Sequence, residues 1–192
     1  MERFALYRRA LAPIMIVAGT IGVAASVVPT FAKLDTNSSF SAFWTVTSAI
    51  VFLIVLYLVR RQALRDAEPF LSLPTRRVWQ GLLPNFFAGL VAGLLFVIPN
   101  LIPLQVAWIL PPVWMLFYGC GLHAAGFFMQ RSMRWFGWVF IILGLSLLFC
   151  IISDVRLQSI QAAHYMMGFF FGALHLAFGI YLFFTERKTN EA

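Results

Sequence analysis

The sequence has little charge, little cysteine and no catalytic signature. Only 11% of its 192 residues are Asp, Glu, Lys or Arg, against about 25% in soluble domains. None of these lies well inside any long apolar run. Proton pumps, ion-coupled transporters and voltage sensors carry ionisable groups at membrane depth. Neither a carboxylate relay nor a voltage sensor is therefore expected. The two cysteines, Cys120 and Cys150, are too few for a disulfide framework and read as small hydrophobes. Three histidines, His123, His164 and His175, are too few for a two-haem relay. Gly-x-Ser-x-Gly, His-Glu-x-x-His and P-loop patterns are missing. So are RNP, zinc-finger and helix-turn-helix patterns. The expectation is no enzyme, no cofactor and no nucleic-acid partner.

What is abundant is apolar sequence. Hydrophobic residues make up 61% of the chain, more than a soluble fold can cover. They fall into six runs, near 11–28, 40–59, 78–98, 112–129, 135–152 and 162–184. About 20 apolar residues are needed to cross a bilayer as a helix. The reading is an all-α, six-helix membrane domain spanning the whole chain. Pro13 suits the first turn of the first run, and Pro111 and Pro112 that of the fourth. Pro99, Asn100 and Pro103 break the chain between the third and fourth. The first run also has the outline of a signal peptide, with Val23-Ala24-Ala25 at a cleavage site, as the minor alternative.

Charge orients the domain. Arg3, Arg8 and Arg9, then Arg60, Arg61, Arg65, Arg76 and Arg77, then Arg131 and Arg134, and last Arg187 and Lys188 account for twelve of the 14 cations. All twelve fall on one side of a six-helix alternation; only Lys33 and Arg156 fall on the other. The positive-inside rule then puts both termini in the cytoplasm of a multi-pass inner-membrane protein. Trp44, Trp108 and Trp114 would mark the outer interface, and Trp79, Trp135 and Trp138 the inner. Residues 60–68 read as a short surface helix or solvated loop whose arginines meet anionic lipid headgroups.

Small and polar residues form stripes. His164, Gly168, Gly172, His175 and Gly179 fall within roughly an 80° arc of one helix. Gly89-x-x-x-Gly93 and Gly168-x-x-x-Gly172 have the spacing that lets helix backbones approach. Asn85, His123 and His175 lie roughly 10, 12 and 16 Å from the cytoplasmic helix ends. They read as one buried polar cluster that fixes packing. The sharper alternative is that His123 and His175 hold a haem or metal. His164 is expected near the outer surface, against water or Asp154.

Pro112-Val-Trp-Met-Leu-Phe-Tyr-Gly-Cys-Gly, Phe136-Gly-Trp and Phe171-Gly-Ala-Leu-His175-Leu-Ala-Phe-Gly179 occur in order before a basic tail. The segment 112–188 resembles the C-terminal half of an uncharacterised family of bacterial six-helix inner-membrane proteins. The resemblance implies the bilayer and His175, and brings no activity. The expected function is a non-enzymatic interaction or regulatory module. It would form a homo-oligomer or contact a cytoplasmic partner through its small-residue stripes and basic loop. The alternatives are a small permease for a neutral or lipid-like substrate, using Pro84, Pro99 and Pro103 to break helices, and a haem or metal redox protein.

Overall fold

The computed structural model describes residues 5–65, 73–98, 101–102 and 106–190, with the side chains of 11–65, 75–98, 101–102 and 106–185. Among these the chain is helical, without strands. The elements are α1 (Ala5–Val27), α2 (Asn37–Arg65), α3 (Leu73–Val97), α4 (Leu110–Ala125), α5 (Arg131–Ser153), α6 (Ile160–Met167) and α7 (Leu174–Asn190). A π-helical segment, Gly168–Ala173, joins α6 to α7, so the two form one rod. Five helical stretches are long and apolar enough to cross a membrane, as a multi-pass membrane protein requires. The short one is α4, whose 16 residues reach only about 24 Å against a hydrocarbon core of about 30 Å.

Several boundaries differ from the sequence reading, each for a local reason. α1 starts at Ala5, so Pro13 lies inside it rather than in its first turn. Neighbouring helices and lipid-depth packing tolerate such interior prolines. α2 runs unbroken to Arg65, so Arg60, Arg61 and Arg65 belong to a membrane helix rather than a separate surface one. Asp66, Glu68 and Pro69 lie outside the described residues, as do Pro99, Asn100 and Pro103. α4 ends four residues early. Gly126 has no side chain, and the space a Cβ would take holds the Arg134 chain, whose backbone nitrogen would be 2.9 Å away. α5 therefore begins at Arg131 and folds tightly back on α4.

Two close-packed pairs make the core. In one, α4 and α5 touch backbone to backbone: a Cβ on Gly119 would sit 2.8 Å from the Gly137 carbonyl oxygen. In the other, α1 lies on the α6–α7 rod. A Cβ on Gly22 would be 2.7 Å from the Phe171 carbonyl, and one on Gly179 would be 2.8 Å from the Ile16 backbone nitrogen. Gly168 faces Ser26, and Gly172 faces Gly22 and Val23. The two pairs meet through aromatic rings, with Phe136 stacked on Phe178 at 4.0 Å and Phe140 wedged against Phe171 and His175. Helix association in lipid depends on such packing, because lipid tails are as apolar as leucine.

Side-chain contacts fix which loops share an end. The Ala107 N–H donates to Asn37 Oδ1 at 3.1 Å, tying the connection before α4 to the start of α2. Arg77 and Arg134 lie over the rings of Phe128 and Phe127 at the opposite end.

Candidate functional site

α2 is packed at one end only. Its buried residues, Asn37, Phe40, Ser41 and Trp44, all fall in its first eight positions. Twenty-nine residues make a rod of about 43 Å, longer than the hydrocarbon core it would cross. Beyond Trp44 it touches α3 through Phe52, which meets Trp79 at 5.7 Å and Phe86 at 6.1 Å. The space left inside is a cavity of about 710 Å³. It is walled by α1, α2, α3, α4 and the α6–α7 rod, and reaches from Trp44 and Gly22 at one end to Gln62 and Thr75 at the other. Pockets of 300–1,000 Å³ are the usual size for small-molecule sites.

The anchored end of α2 is a buried latch built on His164. Its ring is 1% exposed. Trp44 Nε1–H donates to His164 Nδ1 at 3.0 Å, and His164 Nε2 lies 3.0 Å from the Leu34 carbonyl oxygen. Indole N–H only donates and a carbonyl only accepts. The tautomer is therefore assigned as Nε2–H, and an imidazolium would leave Trp44 without an acceptor. Phe40 closes over the ring edge at 4.8 Å. A second bond, Ser41 Oγ–H to the Gly93 carbonyl at 2.6 Å, ties α2 to α3. This corrects the surface placement of His164. Asp154 instead accepts from the Arg156 backbone N–H at 3.0 Å, with the Arg156 guanidinium 3.8 Å away. It also corrects the interfacial reading of two tryptophans. Trp44 is internal, and Trp114 lies along α3, donating to the Gly89 carbonyl at 2.8 Å.

The second buried histidine sits on the cavity wall. His175 is 3% exposed. Its Nδ1 lies 3.3 Å from the Phe170 carbonyl, five residues back, where the wide π turn presents that oxygen. Carbonyl acceptance assigns the proton to Nδ1, so Tyr118 O–H donates to Nε2 at 2.7 Å. Tyr118, His175 and Asn85 all line the cavity.

The three residues read together from the sequence go to different neighbours. Asn85 Nδ2 donates to the Gly81 carbonyl on its own helix at 3.2 Å. His123 packs between Phe127 and Trp138, each at 5.3 Å, and its Nδ1 is buried without a hydrogen-bond partner. His175 shares neither of those rings. With both its ring nitrogens engaged, it does not fit as the partner of His123 on one haem or metal. Among the described residues no three of His, Cys, Asp and Glu gather as metal ligands. The Gly89 and Gly93 pair meets no helix backbone. The Trp114 indole lies over both, 3.5 Å from a Cβ on Gly89 and 3.0 Å from one on Gly93.

The site is thus an apolar, aromatic-walled cavity with a few hydrogen-bonding groups along one side. Tyr118 was the participant missed in the sequence. Its position seven residues before Ala125 in a run of aromatics gave no sign that it would meet a histidine 57 residues on. Comparisons with family models, curated proteins and solved structures find no match for this chain.

Proposed function

We propose that the protein is a multi-pass inner-membrane protein, both termini cytoplasmic, that takes one neutral or lipid-like apolar molecule into this cavity and moves or presents it across the bilayer. The cavity carries the reading. A space of about 710 Å³ with mostly apolar walls among membrane-crossing helices has the size and lining of a site for a small apolar molecule. The one-ended burial of α2 supports an entry route, because its buried residues end at Trp44 and a swing about that latch would part it from α3 at the Phe52 contacts with Trp79 and Phe86. The prolines do not carry it: Pro84 is inside a continuous α3. An interaction or regulatory module draws its support from a sealed bundle, so it is the less favoured reading. No chemical step forms part of the proposal.

The test is native mass spectrometry of the purified protein with membrane lipids added. The expected spectrum shows one retained lipid-like molecule, and a melting temperature raised by lipid. Ala49→Trp, on the cavity wall, should abolish both while leaving a monodisperse protein. Bare protein in every spectrum, with no thermal response, would sink the proposal.

A further inference from the structure

One amide on the cavity wall is only half used by its own helix. Asn85 lines the cavity, and its Nδ2 donates to the Gly81 carbonyl at 3.2 Å. A carbonyl only accepts, so this bond fixes which way the amide is turned. Oδ1 is left over. It accepts no hydrogen bond from any described residue, and protein does not enclose it.

Depth makes that carbonyl consequential. The spanning stretch of α3 is Thr75–Val97, so Asn85 lies about 15 Å from one end and about 18 Å from the other. The hydrocarbon core is about 30 Å thick, which puts the amide near its middle. An acceptor there has neither bulk water nor lipid headgroups to turn to. Polar side chains kept at this depth mark ligand paths.

The neighbouring side chains do not take it up. A Cβ on Gly121 would be 3.2 Å from the Asn85 Cβ, so α4 packs only the stem. Tyr118 and His175, on the same wall, are engaged with each other and with the Phe170 carbonyl. Thr47 and Ser48 donate to carbonyls of their own helix. Thr45 Oγ1 also lacks a partner, but it stands opposite Gly93, about 12 Å along α3 from Asn85. Among the described residues no Asp, Glu, Lys or Arg lines the cavity. A charged head would therefore have no counter-charge beside it.

We infer that Asn85 is the mid-membrane docking point for the hydroxyl head of an uncharged, lipid-like alcohol. A hydroxyl donates to Oδ1. An ether, ester or ketone brings only acceptors and leaves that carbonyl unmet. The inference rests on the lipid-like reading and narrows its head group. It gives a neutral lipid crossing the bilayer the hydrogen-bond partner that the hydrocarbon core denies it.

The probe is dibromostearyl alcohol, whose bromines quench the cavity tryptophans Trp44, Trp79 and Trp114, titrated into the full-length protein in uncharged detergent. Its methyl ether is the control without a donor, and dibromostearyl phosphate the charged control. The alcohol should bind about fivefold tighter than the ether, the worth of one net hydrogen bond. Asn85→Leu, or Asn85→Ala if the first does not fold, should bring the alcohol to the level of the ether and leave the ether unchanged. Ala49→Trp, or Ser48→Trp in its place, should remove the quenching by both. Equal affinity for alcohol and ether, an alcohol preference that survives both Asn85 variants, or tighter binding of the phosphate overturns the hydroxyl head at Asn85 and leaves the lipid-like reading standing. No saturable quenching by any probe, or quenching untouched by the blocking variants, overturns both.

Discussion

Replacing His164 with leucine tests whether the outer end of α2 is held by the latch rather than by apolar contact. Leucine keeps much of the bulk against Phe40 but removes two hydrogen bonds. The Trp44 N–H, on a residue 3% exposed, is left buried without an acceptor, at about 1–3 kcal/mol. The Leu34 carbonyl belongs to a half-buried loop residue and can turn to water, so it adds little. The expected loss for His164→Leu is about 2–3 kcal/mol, and for Trp44→Phe, which removes the donor and leaves a small cavity where the indole was, about 2–3 kcal/mol. In the double variant there is no orphaned N–H to count twice. Its cost should fall short of the sum by about 0.6–1.7 kcal/mol, the range found between buried groups in membrane helices. Reversible unfolding in mixed micelles, followed by tryptophan fluorescence and corrected for the missing indole, gives all four free energies. Strict additivity, with coupling below about 0.3 kcal/mol, would refute the latch.

The remaining expectations concern packing and orientation. Tyr118→Phe leaves His175 Nε2 without its donor and should cost about 1–2 kcal/mol, whereas Tyr118→Phe in a His175→Phe background should cost under half of that; equal costs in both would separate the two side chains. Gly172→Val places a Cβ 2.6 Å from the Val23 backbone nitrogen, which no rotamer relieves. A loss of about 3 kcal/mol or more, seen as a lowered midpoint, is expected, and a stable variant would contradict the close contact of α1 with the α6–α7 rod. Gly89→Ala meets only the Trp114 side chain, at 3.5 Å, and should change stability by under about 1 kcal/mol. Cysteine placed at Arg61 or Arg131 in a chain lacking Cys120 and Cys150 should label with an impermeant maleimide only in inside-out vesicles, and cysteine at Asp35 only in right-side-out ones; the reverse pattern would invert the orientation.

The helices were legible in the sequence because each depends on its own composition. An apolar run of some 20 residues must satisfy its backbone internally in lipid, whatever surrounds it. The ends were less legible where a distant residue decides them. α4 stops at Ala125 because Arg134 folds over Gly126, and α2 continues past Val59 because nothing in Arg60–Arg65 breaks a helix once the chain leaves the core. Stripe arguments were partial. The glycines at 168, 172 and 179 turn to α1, but the histidines of the same arc leave it, His164 for Trp44 and His175 for Tyr118. The π turn between them spoils the strict 100° step on which the arc was drawn.

By itself, then, the sequence determined that this chain is helical and where its six apolar runs lie. Those properties are sums over neighbours along the chain. The structure makes five stretches, not six, long and apolar enough to cross a membrane, because α4 is short. Only the tertiary structure decided which polar groups meet and where space is left. His164 and Trp44 lie 120 residues apart. The cavity belongs to no segment: it exists because a long α2, fixed at one end, stands beside a short α4. A hydrogen bond across helices depends on rotation and depth to within an ångström, and a void depends on several helices at once, so neither is written in any local run of residues.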